Sequence, residues 1–183
     1  MCDFLSACIC RDGRIVADGV HRHTELARRY IAGENGIGRQ RFWEWELSPE
    51  SWLVDADPKR ALRRMDEEPP DRVIEASREL IAELSTLNGT SRLLPWLAVL
   101  RTGYLEYLPT EVRTIVLLGD ANLNYIDGSQ SIAAMRDSSQ VGAMSDSSKV
   151  GEMFDSSQVG EMWGSSQVGE MWDSSTAPRN PIS

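Results

Sequence analysis

The sequence predicts a mainly β protein: a C-terminal β-solenoid of nine-residue repeats, two per coil, capped by an N-terminal α+β domain. Three observations predict it. A phrase of the type D-S-S-Q-V-G-E-M recurs every nine residues, with methionines at Met135, Met144, Met153, Met162 and Met171 and valines at Val141, Val150, Val159 and Val168. Gly, Ser-Ser and Asp recur at the same period, a composition poorly suited to helix. A nine-residue unit also cannot bury its own apolar residues, so evenly placed Val and Met call for identical neighbours above and below. That placement argues against disorder, the other reading of a Ser-rich repeat. The divisions are residues 1–90 for the cap, 91–175 for the solenoid and 176–183 for a tail.

Within one repeat, Ser and Val fall on one face of a short strand because strand side chains alternate. The step of three from Val to Met breaks the alternation, so the intervening Gly is expected at a bend. Asp-Ser-Ser supplies a second turn, since these residues bond their own backbone. Two such arms close one coil, with parallel rungs ~4.8 Å apart. The inward triplet reads Ser139/Val141/Met144, Ser148/Val150/Met153, Ser157/Val159/Met162 and Ser166/Val168/Met171. Stepping back by nines gives Gln130/Ile132/Met135, Ala121/Leu123/Ile126, Val112/Thr114/Leu117, Gly103/Leu105/Leu108 and Leu94/Trp96/Val99. An unbroken register over about 80 residues follows, with Gln130 and Thr114 as its poor core residues.

The N-terminal part is taken in order. Phe4 to Arg11 reads as a strand, Asp12-Gly13 as a hairpin turn and Arg14 to Ala17 as the partner strand. Thr24 caps a short helix to about Ala32, with Leu26 and Tyr30 four apart. Glu34 to Gly38 is a loop. From Arg41 to Leu47 the residues alternate, Trp43, Trp45 and Leu47 on one face and Glu44 and Glu46 on the other, a half-buried strand. Pro49 to Pro58 is irregular, and Lys59 to Met65 is a strand or a short helix. After the acidic break Asp66 to Pro70, a helix runs to about Leu87 on an apolar stripe of Val73, Ile74, Ala76, Leu80, Ile81 and Leu84. Asn88-Gly89 ends it. A solenoid needs a cover over its first coil, and this unit is the natural one.

Composition narrows the function. A net charge of −9 and a pI near 4.8 argue against nucleic-acid binding through a basic patch. No apolar run is long enough for a membrane span, and the N-terminus lacks the plan of a signal peptide. Three cysteines, all within the first ten residues, make no disulfide framework, so a cytoplasmic setting is expected.

Several stretches together carry a resemblance. Met1-Cys2-Asp3-Phe4-Leu5-Ser6-Ala7, the Asp12-Gly13 hairpin, His23-Thr24-Glu25-Leu26, Met65-Asp66-Glu67-Glu68 before a helix and the S-S-Q-V-G repeats resemble a group of small uncharacterised phage and prophage proteins. Those share a cap opening M-C-x-F-L-S-A and a tail of S-A-Q-I-G-type repeats. Here Ser stands in the small slot usually held by Ala, making the interior more polar. The resemblance implies a phage-linked origin and assigns no chemistry.

Each chemical candidate has a plainer reading beside it. Cys2, exposed as the N-terminal residue once Met1 is removed, has the form of an N-terminal nucleophile whose amine serves as base, yet no diagnostic partner stretch follows. Cys8, Cys10, His21 and His23 form a C-x-C…H-x-H set of zinc-ligand types. In an extended strand Cys8 and Cys10 stand ~7 Å apart, too far for one ion without a bend. Asp137, Asp146, Asp155 and Asp173 suggest calcium, but the G-G-x-G-x-D order of calcium nonapeptides is absent. A DNA mimic would need denser charge: from Ser91 onward 11 acids against 6 bases give −5 over a rod ~20–24 Å tall, whereas duplex DNA carries one charge per ~1.7 Å. No cofactor is expected.

The residues after each Met (Arg136, Ser145, Phe154, Trp163 and Trp172) adjoin inward positions and are expected to point outward. With two arms per coil, Phe154 and Trp172 share one edge and Trp163 lies on the other. Exposed aromatics near an open end are candidate association hot spots, the equal alternative being that they pack around the bends and shield the last coil, and an uncovered final coil leaves strand edges unpaired. The expected association surface is therefore Phe154, Trp163, Trp172, Met171, Glu161 and Glu170, with homodimerisation through the C-terminal coils. The functional expectation is a non-enzymatic binding or scaffold protein, a phage-encoded inhibitor that binds a host defence protein. The rivals are an N-terminal enzyme using Cys2 or a Cys/His metal site with the solenoid as oligomerisation handle, and a structural phage component.

Overall fold

The computed structural model describes residues 5–19, 23–31, 42–47, 56–63 and 67–178. The chain divides into two compact units, Met1–Thr86 and Leu87–Ser183.

The first unit is built on an antiparallel sheet. Strands β1 (Leu5–Cys10) and β2 (Ile15–Val16) form the hairpin, closed by Gly13 N–H donating to the Cys10 carbonyl at 2.9 Å. Gly13 has φ +89°, the left-handed region that an Asp-Gly turn supplies. A four-residue helix α1 (His23–Leu26) runs into a π-helical turn at Ala27–Ile31. Thr24 therefore sits inside the helical segment instead of capping it. Strand β3 (Phe42–Leu47) pairs along the whole of β1, with Ala7 opposite Trp45 and Cys8 opposite Glu44. Of the two alternatives for residues 59–65, a turn followed by the short strand β4 (Leu62–Arg63) is found, giving the order β2-β1-β3-β4.

Helix α2 (Asp71–Thr86) buries Val73, Ala76, Ser77, Leu80 and Leu84, with Ile74 and Ile81 at the margins of the stripe. Ser77 joins the buried face because its hydroxyl has work there. It accepts from the Trp45 indole N–H at 3.0 Å and donates to the Pro58 carbonyl at 2.8 Å, leaving neither group unpaired in the core.

The second unit is the β-solenoid, of about four turns. It opens with β5 (Gly89–Thr90), antiparallel to β6 (Leu97–Leu100). Then follow β7 (Tyr104–Leu105), β8 (Thr114–Leu117), β9 (Asn122–Ile126), β10 (Ser131–Met135), β11 (Gln140–Met144), β12 (Lys149–Met153), β13 (Gln158–Met162) and β14 (Gln167–Met171). Alternate arms make two sheets, β14-β12-β10-β8-β6-β5 and β13-β11-β9-β7, parallel throughout except for the opening β5. Val141 pairs with Val159 and Met153 with Met171, so neighbours in a sheet are eighteen residues apart and two nine-residue arms make a coil. The inward Val and Met columns, with Leu123, Ile126, Ile132 and Met135 below them, form one continuous buried core.

The repeat glycines lie inside the strands, and Gly142, Gly160 and Gly169 do not have the positive φ of a tight turn. They are required by close approach. A Cβ on Gly160 would stand 2.5 Å from the Gly142 carbonyl oxygen, and one on Gly169 would stand 2.4 Å from that of Gly151. The sharp reversal falls at the Asp of Asp-Ser-Ser: Asp137, Asp146, Asp155 and Asp173 have φ between 54° and 59°, and Gly164 takes that place in the remaining arm. Asp tolerates this region better than most side chains.

The register is not unbroken. Leu117 pairs with Leu100, seventeen residues away, and a bulge opposite β8 lets Ile132 face Ile115 while Ala134 faces Val116. Ile115 fills the slot assigned to Thr114, and Ala98 and Leu100 enter the solenoid core in place of Trp96 and Val99. Thr114 is left partly exposed, so the slip trades a hydroxyl for an aliphatic in the interior. Gln130, the other poor core residue, holds its inward slot by donating its Nε2 hydrogens to the carbonyls of Val112 at 3.2 Å and Pro109 at 3.3 Å.

Candidate functional site

In the N-terminal unit the candidate thiols are enclosed. Cys8 is fully buried; burial, with Glu44 and then Cys10 nearby, pushes its thiol up to about 12, and its Sγ lies 3.5 Å from the His23 carbonyl. Burial raises Cys10 as well. Both favour the neutral thiol, the opposite of what a thiolate ligand or nucleophile needs. The buried His23 ring donates through Nε2 to the Trp45 carbonyl at 3.2 Å and places Nδ1 3.2 Å from the Glu46 carboxylate, whose other oxygen is 3.1 Å from Arg63 Nη1. His23 thus ties α1 to β3. Among the described residues no three His, Cys, Asp or Glu side chains are grouped to hold a metal. Cys2 and His21 lie outside the described residues. Glu44 and Glu46, which alternation places on a solvent face, are instead turned toward α1, with Glu46 buried. Sequence alone does not reveal this, because the cover comes from a segment some twenty residues away.

The repeat aspartates serve the turns. The Asp137 carboxylate accepts the Gly119 N–H at 2.9 Å, Asp155 accepts that of Asp137 at 3.1 Å and Asp173 that of Asp155 at 3.4 Å. Each carboxylate reaches back one coil and satisfies a turn amide that would otherwise lack an acceptor. On the opposite edge Gly128, Asp146 and Gly164 alternate, and Asp146 accepts from the Ser145 hydroxyl at 3.2 Å.

Among the described residues, no strand follows β14 in its sheet. Met153 is fully buried, whereas Met171, preceded by the same Val-Gly-Glu, is 43% exposed; Trp163 and Trp172 are about half exposed. Strand β14 is the edge of its sheet. The other sheet is partly continued by Thr176, whose N–H and carbonyl bond Ser157 and Val159, with Ala177 packed on the core. Arg136, Phe154 and Trp172 occupy one edge column at eighteen-residue steps, with the Arg136 guanidinium carbon 4.4 Å from the centre of the Phe154 ring. Trp163 stands on the opposite edge, above Ser145. Glu170 and Glu161 are exposed on the outer faces of the two different sheets. The six residues singled out in the sequence thus ring the open end instead of forming one compact patch.

A second exposed feature has no counterpart among the sequence-based expectations. Tyr104 and Tyr107 project from the first coil, and Tyr107 meets Tyr125 edge-to-face with ring centres 6.4 Å apart. The eighteen-residue step from Tyr107 to Tyr125 is the signal that could have found them.

No family model, curated protein or solved structure matches this chain. Among the described residues, no helix is long and apolar enough to cross a membrane.

Proposed function

We propose that this protein works by binding another protein, and that the docking surface is the open C-terminal end of the solenoid. The observation that carries the reading is the exposure of Met171, Trp163 and Trp172 beside the edge strand β14, where the earlier members of the Met171 column, Met135 and Met153, are fully buried. A large apolar residue next to free backbone donors and acceptors is the usual makeup of a protein-binding edge. The resemblance to small phage and prophage proteins supports a phage-encoded inhibitor that binds a host defence protein in the host cytoplasm. Enclosure of Cys8 and Cys10 disfavours the metal-enzyme alternative at that pair.

Two occupants suit this end: a host protein, or a second copy of the chain, for which the open β14 edge speaks. Native mass by light scattering, on wild type and on a Trp163→Ser/Trp172→Ser variant, separates them. A wild-type dimer that falls to a folded monomer assigns the end to self-association. A wild-type monomer leaves it to a foreign partner, to be located by a photo-crosslinking residue at position 172 with position 107 as control. Crosslinking at 107 but not at 172 would overturn the placement.

A further inference from the structure

Charge selects between the occupants. Between Lys149 and Arg179 the chain carries Glu152, Asp155, Glu161, Glu170 and Asp173 and no basic residue. Three of them, Glu161, Glu170 and Asp173, are exposed in the final arms, the same arms that present Trp163, Met171 and Trp172. Two copies meeting end to end would set these carboxylates against their equals, and like charges across an interface disfavour association.

The preceding coil shows what the aromatic column accepts. Arg136 lies over Phe154 at a distance suited to a cation–π contact. Trp172 is the next member of that column, half exposed, with no later coil among the described residues.

Resting on the docking reading above, we propose that the C-terminal end takes a cationic, extended segment of a foreign protein, added as a strand along β14. Its apolar side chains continue the inward columns over Val168 and Met171. Its alternate basic side chains reach outward to Glu170 and Asp173, with one guanidinium over Trp172. Strand addition supplies affinity through backbone bonds and selectivity through alternate side chains. The rungs beneath give that strand a register, because each of the later arms repeats the same pattern of inward Val and Met and outward carboxylate.

The test titrates the full-length protein with a short synthetic peptide alternating arginine and valine, followed by calorimetry. Two comparison peptides are used: one with glutamate for arginine, and one keeping the arginines with proline for valine. The proline peptide retains the charge but cannot pair as a strand. The arginine–valine peptide is expected to bind, more weakly as salt rises. Affinity should fall about fivefold in Trp172→Ser and also in Glu170→Gln/Asp173→Asn, and be unchanged in Glu79→Gln on α2. Equal binding of the proline peptide would overturn strand addition. Binding unaffected by Trp172→Ser would overturn the site. A wild-type dimer lost in Trp163→Ser/Trp172→Ser would assign the end to a second copy, overturning the cationic partner while keeping the docking surface. No binding by the peptide, with crosslinking of a host protein from position 172, would likewise overturn the cationic segment and leave the docking reading standing.

Discussion

The small slot of the repeat should respond with opposite signs in adjacent coils. Ser148 is fully buried, and its hydroxyl has no hydrogen-bond partner among the described residues. Eighteen residues earlier in the same column, Gln130 is buried and donates to two carbonyls. A hydroxyl moved from water to an apolar site without a partner costs about 1–3 kcal/mol, and Ser→Ala removes the cost while keeping the Cβ in place. Allowing for the dispersion energy of one oxygen atom, Ser148→Ala should stabilise the solenoid by about 1 kcal/mol, or about 4–8 °C in Tm for a unit of this size. Gln130→Ala should do the reverse: it opens a cavity and strands the Val112 carbonyl, at a cost of about 2 kcal/mol. Urea unfolding followed by far-UV circular dichroism reads both, as shifts of midpoint at constant slope. A fall in the Ser148→Ala midpoint equivalent to more than about 0.5 kcal/mol would mean that the hydroxyl makes a bond worth keeping. The buried Ser148 hydroxyl would then not be a polar cost to its coil.

Three further outcomes follow from the geometry. Gly160→Ala places a methyl group 2.5 Å from the Gly142 carbonyl oxygen and should destabilise the terminal coils by about 2–3 kcal/mol, seen as early loss of the sheet signal in thermal melts. Asp155→Ala loses both the acceptor for the Asp137 N–H and a side chain tolerant of positive φ, at a cost of about 1–2 kcal/mol; Asp155→Asn keeps both features and should be nearly neutral by the same urea assay. Cys8 should resist alkylation in the native protein at pH 8 and react once the unit unfolds, as mass spectrometry would show. Because its thiol is raised from 9.0 to about 12 on folding, the folded state holds the proton longer. Its contribution to stability is therefore full below pH 9 and is lost as pH rises from 9 to 12, so a melting temperature that rises across that interval would contradict the burial.

The solenoid was legible because the period that repeats in sequence is also the offset that pairs strands. Counting eighteen from Val141 reaches Val159, and the backbone does the same. That counting failed where the copies had decayed. In β6 and β8 the inward residues are two apart, Ala98 and Leu100, Ile115 and Leu117, in plain alternation; the later arms carry one extra residue, at the position of Gly142 or Gly160. Stepping back by nines cannot detect that missing residue, and it lands on Thr114, which only a neighbouring aliphatic could replace. In the first unit the alternation of Trp43 and Trp45 against Glu44 and Glu46 was legible as well. What covers the glutamates was not, since His23 and Arg63 meet Glu46 only after the sheet has formed.

The candidate site is visible in the sequence for the same reason, although no motif marks it. Gln158–Met162 and Gln167–Met171 are the same five residues, Q-V-G-E-M, yet Met162 is buried and Met171 is not. Composition and local conformation do not distinguish the two copies. The distinction is the count: β13 has the arm containing Thr176 beside it, while β14 is the edge strand of its sheet. The proposed binding surface lies where the repetition stops, and its chemistry would be set by the residues that vary within the last copies. Those are the position after Met, which changes from Arg136 and Ser145 to Phe154, Trp163 and Trp172, and the position before Met, which changes from the buried Ala134 and half-buried Ala143 to Glu152, Glu161 and Glu170. Both drift in one direction along the rod, toward aromatic and acidic, while the inward Val and Met stay constant. Burial of Ala134 accounts for the small residue at the start of the series before Met, whereas packing gives no reason for Trp163, Trp172, Glu161 and Glu170, all exposed, so a requirement other than folding is to be sought in these last copies.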